Sequence, residues 1–101
     1  MNVLYSKSFI KAAHKLSGKY KNTLQDKIIE VKAAKSIEEL TDCKKLTNFS
    51  NAYRIRIGDY RAFFILTIVN NTVNFEYLIN RGDAYNKEYI KNLRKKDKGK
   101  E

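Results

Sequence analysis

Cysteine is almost missing from this chain. Cys43 stands alone, which excludes a disulfide framework and a thiolate metal cluster. Histidine is equally scarce. His14 and Cys43 together supply two soft ligands, too few for a four-coordinate structural zinc site. No apolar run approaches the roughly 18 residues that a membrane-spanning helix needs. The opening residues lack the basic, apolar and small-residue succession of a secretion signal, so a cytoplasmic location is expected. Acidic residues are few as well, 11 against 21 lysines and arginines, for a net charge of +10. That imbalance points to a polyanionic partner, with nucleic acid ahead of an acidic protein and an anionic membrane last. A further shortage is positional. Residues 1–50 hold ten lysines and no arginine, and all five arginines lie from Arg54 onward. Lysine is a generic solubilising cation, whereas arginine grips phosphate in a fixed, bidentate geometry.

What is present suffices for one domain. A chain of 101 residues, 43% of them hydrophobic, reads as globular. It can bury about 60–70% of its unfolded surface in a single modest core.

The most informative stretch is Tyr53 to Arg61. Tyr53, Ile55 and Ile57 alternate with Arg54, Arg56 and Gly58, the period of a strand with one buried face. Gly58 and Asp59 supply a tight turn. A second strand follows, with Tyr60, Ala62, Phe64, Leu66 and Ile68 on one face and Arg61, Phe63, Ile65 and Thr67 on the other. If the first face of each meets the core, Arg54, Arg56 and Arg61 share the opposite surface and form a candidate anion site.

Around this hairpin the chain reads as β-α-α-β-β-β-α. Asn2–Tyr5 suits an edge strand. Phe9, Ala13 and Leu16 form a helical stripe after a Ser6 or Ser8 cap, with Gly18 as its stop. Tyr20, Leu24, Ile28 and Val31 repeat at helical spacing. Ser36 and Glu39 have capping-box spacing. Residues 41–52 lose periodicity and read as a loop. Val73, Phe75, Tyr77 and Ile79 alternate with Asn74, Glu76 and Leu78 as a last strand. Tyr85, Tyr89, Ile90 and Leu93 suggest a short terminal helix. The expected fold is α+β, a helical hairpin on one face of a small antiparallel sheet whose other face is partly open. One domain spans 1–95, and 96–101 reads as a basic, frayed tail.

The run Ser36-Ile-Glu-Glu-Leu, then Lys45-Leu46, then Tyr53-Arg-Ile-Arg-Ile-Gly-Asp-Tyr-Arg61, then Asn80-Arg-Gly-Asp-Ala-Tyr85 resembles the RelE/ParE superfamily of toxins from type II toxin–antitoxin modules. The resemblance spans nearly the whole chain and rests most on the Tyr53–Arg61 segment. It implies a ribosome-dependent mRNA endonuclease that needs no metal or other cofactor, with an antitoxin, the ribosome and mRNA as partners and no membrane. In such chemistry the messenger's 2′-hydroxyl attacks the adjacent phosphate, and the protein stabilises the pentavalent phosphorus. The resemblance puts Arg61 on the scissile phosphate, Arg54 and Arg56 on neighbouring charge, Arg81 on phosphate, and Tyr85 on a base or a proton. Lys44, Lys45 and Asn80 are the expected RNA contacts.

Asn80 departs from the pattern, standing where many relatives carry His, and an amide is no acid or base near neutral pH. Glu76 is open to two readings, a base on the arginine face or the ion-pair partner of an arginine on a neighbouring strand. Two alternatives follow from the missing histidine. One is a ParE-like toxin that inhibits DNA gyrase by protein contact. The other is a degenerate toxin that retains only antitoxin binding.

Overall fold

The computed structural model describes residues 1–83 and 86–99. In chain order it has β1 (Asn2–Tyr5), α1 (Lys7–His14), α2 (Gly18–Ala33) and a 3-10 turn at Ile37–Glu39. Then come β2 (Cys43–Lys45), β3 (Ala52–Ile57), β4 (Tyr60–Thr67), β5 (Thr72–Asn80), a 3-10 turn at Arg81–Asp83 and α3 (Lys87–Gly99). The strands make one sheet in the order β1-β5-β4-β3-β2. The α+β class is as expected, with two differences in the sheet. It is mixed, because β1 lies parallel to β5, a pairing that a long connection permits and a tight turn does not. It also has a fifth strand, β2, where a loop was expected. Three residues are too few to display a period, and β2 is held instead by its antiparallel pairing to β3.

Both helices of the hairpin lie on one sheet face. There Phe9, Leu16, Leu24 and Val31 meet Ile55, Ile57, Ala62, Phe64, Val73 and Phe75. Each of the larger side chains contributes roughly 1.5–3 kcal/mol by leaving water. Ser6 caps α1, its hydroxyl accepting from the Phe9 N–H at 3.0 Å. The helix ends at His14, and Gly18 begins α2 instead of stopping α1. Leu16 lies between the helices yet is buried. Ile68 lies past the end of β4 and is exposed, so it is no member of the core.

The opposite face is covered over β4 and β5 and open along β2 and β3. Phe63 and Ile65, expected on the uncovered side, are fully buried there against Ala52, Tyr77, Ile79 and Leu93 of α3. A β-bulge makes this second core possible. Phe63 pairs with Tyr77 and Phe64 with Phe75, so Glu76 has no residue opposite it. The extra residue shifts the phase of β5. Val73 and Phe75 therefore face the hairpin, while Tyr77 and Ile79 face α3, against the simple alternation read from the sequence. Ser6 serves the bulge too: its hydroxyl donates to the Glu76 carbonyl at 2.7 Å and its N–H to the Phe75 carbonyl at 2.9 Å.

The β3–β4 turn is fixed from the hairpin side. Gly58 has φ of +58°, a conformation that a side chain strains. A Cβ at that position would lie 2.6 Å from the Tyr20 ring. That ring is held by its hydroxyl, which donates to Asp59 at 2.7 Å, and by an edge contact with Tyr60. Among the described residues no helix is long and apolar enough to cross a membrane.

Ser6→Ala removes a helix cap and the partner of the bulge carbonyl together, and should lower stability by about 1–3 kcal/mol in urea unfolding. Glu30 gives a pH test. Burial pushes its carboxyl up, but hydrogen bonds from the Thr41 N–H and hydroxyl and the nearby Lys27 ammonium outweigh burial and hold it below the usual carboxylate range. A lowered folded value contributes stability above the unfolded value, about pH 4.3, and that contribution is lost as pH falls through the folded value. Glu30→Gln should therefore show a shallower loss of Tm below about pH 4.3 than the parent chain in melts across an acid series.

Candidate nucleic-acid interface

The cationic site is a product of strand register. Lys44 lies opposite Arg54, and Arg56 opposite Arg61. Residues directly opposite in a ladder project to the same side, so all four occupy the face away from the hairpin. Two clefts open along this face and share Lys44 and Arg54. One, of about 360 Å³, is lined by Leu46, Phe49, Ile90 and Arg94 as well. The other, of about 410 Å³, adds Asp42, Cys43 and Arg56.

The expected residues are distributed as follows. Lys44, Arg54 and Arg56 come together along β2 and β3. Arg61 shares their face, but its guanidinium turns back on the tight turn and donates to the Gly58 and Tyr60 carbonyls at 3.0 Å each. Lys45 lies opposite Tyr53 in the ladder and also lines the first cleft. Arg81 is exposed, and its N–H donates to the Asp59 carbonyl at 2.7 Å, beside the same turn. Asn80 lies opposite Tyr60, so register gives it the hairpin's side of the sheet. Its side-chain oxygen accepts from the Gly82 N–H at 3.0 Å. Tyr85 lies outside the described residues. His14 is exposed on α1, on the other side of the sheet.

Glu76 is neither a base on the arginine face nor an arginine's partner. The bulge turns it under α3, where it is 7% exposed and pairs with the Lys96 ammonium at 2.9 Å. Desolvation lowers the Lys96 pKa, but the hydrogen bond and charge of Glu76 outweigh it, and the net shift is upward. This pair corrects the reading of 96–101 as a frayed tail for residues 96–99, which continue α3. Asp97 is also buried and accepts from the Ser50 and Asn51 N–H groups at 2.9 and 2.7 Å. Cys43 is a bystander. Burial pushes its thiol up to about 11, despite the opposing charge of Arg54, so it stays protonated near neutrality.

Arg94 is the residue that sequence reading passed over. Its guanidinium donates to the Asn48 carbonyl at 3.0 Å and lies 4.4 Å from the Phe49 ring centroid. Ile90, Leu93 and Asp97 at helical spacing are the signal that α3 has an inner face, and Arg94 flanks it.

No protein-family model matches the chain. Toxin RelE3 of Methanocaldococcus jannaschii is 30% identical over 86 residues, covering 84% of this chain and 96% of that protein. The chain belongs to the RelE toxin family. Solved structures agree in fold. The RelB–RelE antitoxin–toxin complex from Methanococcus jannaschii matches with a TM-score of 0.70 and 27% identity, over 83% of this chain and 96% of that one. The isolated RelE toxin of E. coli matches with a TM-score of 0.64 and 18% identity, over 91% and 97%. The protein is thus a RelE toxin of the toxin–antitoxin kind, and its cationic face lies on the β3–β4 hairpin.

In this RelE toxin, α3 is one wall of the site, and Glu76 and Asp97 hold it there. Glu76→Gln keeps the shape and removes the charge facing Lys96. With Lys96 partly exposed, the expected loss is about 1–2 kcal/mol. Asp97→Ala strips the acceptor from two backbone donors and should cost about 1–3 kcal/mol. Hydrogen exchange should rise at Ser50 and Asn51 in the Asp97 variant and stay unchanged in α1.

Proposed function

We propose that this RelE toxin is a ribosome-dependent mRNA endonuclease. The observation that carries the reading is the register that sets Lys44, Arg54, Arg56 and Arg61 on one sheet face, beside clefts of nucleotide scale. The messenger's 2′-oxygen attacks the neighbouring phosphorus as its proton leaves. The bond from phosphorus to the 5′-oxygen breaks, that oxygen takes up a proton, and a 2′,3′-cyclic phosphate remains. Arg54 and Arg56 offset the charge that accumulates on the phosphoryl oxygens. Arg61 adds to them by exchanging its carbonyl partners in the turn for phosphate, and Arg81, beside that turn, binds the next phosphate. Lys44 and Lys45 hold the strand at β2, whereas Asn80, on the hairpin's side of the sheet, braces the turn that carries Arg81 by accepting from the Gly82 N–H.

Among the described residues no imidazole or unpaired buried carboxylate adjoins the clefts, which leaves electrostatic stabilisation as the main contribution of the chain to rate. Tyr85, taken from the family pattern, supplies the base contact or a proton. The partner that silences the toxin is an antitoxin, a reading supported by the RelB-bound state of solved relatives. The site of action is the cytoplasm.

Primer extension on mRNA in a reconstituted translation reaction tests this. Codon-phased cuts that need ribosomes should appear with the parent protein. They should fall by about 10²-fold or more in Arg61→Ala, the magnitude typical of losing one donor to a transition-state anion. Tyr85→Phe separates the hydroxyl from the ring. An absence of cuts while translation continues overturns the nuclease reading and makes gyrase supercoiling the assay to run.

A further inference from the structure

The two clefts differ in chemistry although they share Arg54 and Lys44. The one toward Arg56 is lined by cations and polar groups. The one toward α3 adds Leu46, Phe49 and Ile90 to Lys45, Thr47 and Arg94 in its walls. Its cations can hold a phosphate at the rim, but a phosphate gains nothing by losing water against the three apolar side chains. An unstacked base does, and every base has a face to lay against a flat group. Arg94 offers that flat group. The Phe49 ring supports its guanidinium at 4.4 Å and the Asn48 carbonyl fixes it at 3.0 Å. Among the described residues neither partner neutralises its charge. A planar cation held in this way is a stacking surface for a nucleobase. At about 360 Å³, the cleft sits toward the small end of the ~300–1,000 Å³ typical of small-ligand sites.

We propose that the cleft between loop 46–51 and α3 seats one unstacked base of single-stranded RNA, stacked on Arg94, while the adjoining phosphate lies on Arg54 and Arg56. The inference rests on the RNA-directed reading of this face and adds its base-binding half. It also gives α3 a task. Asp97 and Arg94 bind the two ends of the loop segment 48–51, so the cleft exists only while α3 is docked.

Fluorescence anisotropy with the full chain tests it, using a short labelled single-stranded RNA and a ribose-phosphate chain of equal length without bases. The intact RNA should bind about tenfold or more tighter, the scale of one stacked base, with the same salt slope for both. Arg94→Ala should remove that advantage while weakening the baseless chain only by the loss of one cation. Arg94→Lys keeps the charge and should not restore it. Arg54→Ala should flatten the salt slope for both probes. Equal binding of the two probes with a steep salt slope overturns the base cleft alone, as does rescue by Arg94→Lys. Displacement by an acidic, apolar peptide whose binding depends on Arg94, when RNA binding does not, overturns it in favour of a protein ligand. If neither probe binds and no cuts appear in the translation reaction, the nuclease reading falls and the base cleft with it.

Discussion

The bulge at Glu76 is the constraint on which the rest of the architecture depends. A strand of uninterrupted period two can send its apolar side chains to one face only. In β5 every residue from Thr72 to Ile79 is buried, and the bulge divides its large side chains between two cores. The inserted residue is not left unsatisfied. Its carbonyl takes the Ser6 hydroxyl on the hairpin side. Its carboxylate takes Lys96 on the α3 side. One irregular residue thus ties the start of α1 and the end of α3 to the same point of the sheet. Without it, Tyr77 and Ile79 would crowd the hairpin, and α3 would have little apolar surface on which to lie.

The sequence revealed whatever was periodic and local. The hairpin from Tyr53 to Thr67 is legible because two alternating strands flank a glycine turn, and the turn fixes the register. Once register is fixed, the common face of Arg54, Arg56 and Arg61 follows from geometry. The helical stripes were equally plain, since Phe9 and Ala13 in α1, and Leu24, Ile28 and Val31 in α2, recur at the spacing of a helix face. What stayed hidden depends on partners distant in sequence. No glycine or proline marks the bulge, and its trace, the consecutive apolar run Tyr77-Leu78-Ile79, has meaning only once a second core is known. Strand β2 has no pattern of its own and is defined by its neighbour. The basic stretch after Ile90 looks like a solvated end because lysines dominate it. The residues that dock it are Leu93 and Asp97, and the Asp97 carboxylate answers two backbone donors more than forty residues earlier.

The cationic face carries a cost that explains its shape. Arg56 and Arg61 are directly opposite, and like charges in that relation repel by about 0.2–1 kcal/mol. The structure limits the repulsion by folding the Arg61 guanidinium onto the turn carbonyls, leaving Arg56 exposed on its own. Gly58 is central to that arrangement, since its left-handed backbone shapes the turn that offers those carbonyls. Tyr20 and Asp59 in turn hold the turn against the hairpin. The hairpin helices thus reach the cationic face at two points, through Tyr20 at the β3–β4 turn and through Lys27, whose ammonium pairs at 3.2 Å with Asp42 in the wall of the second cleft.

An anion arriving between Arg56 and Arg61 meets two cations whose mutual repulsion it relieves, so part of its binding strength is already stored in the sheet. The two arginines differ in readiness. Arg56 is exposed and available at first encounter. Arg61 must exchange hydrogen bonds to the neutral Gly58 and Tyr60 carbonyls for bonds to a charged phosphate oxygen, which add the attraction of opposite charges. That exchange favours the species carrying the greatest negative charge at that point. Under the proposed cleavage, that species is the pentavalent phosphorus and not the ground-state diester. Under that proposal, parking the guanidinium on the turn keeps part of its interaction in reserve for the transition state.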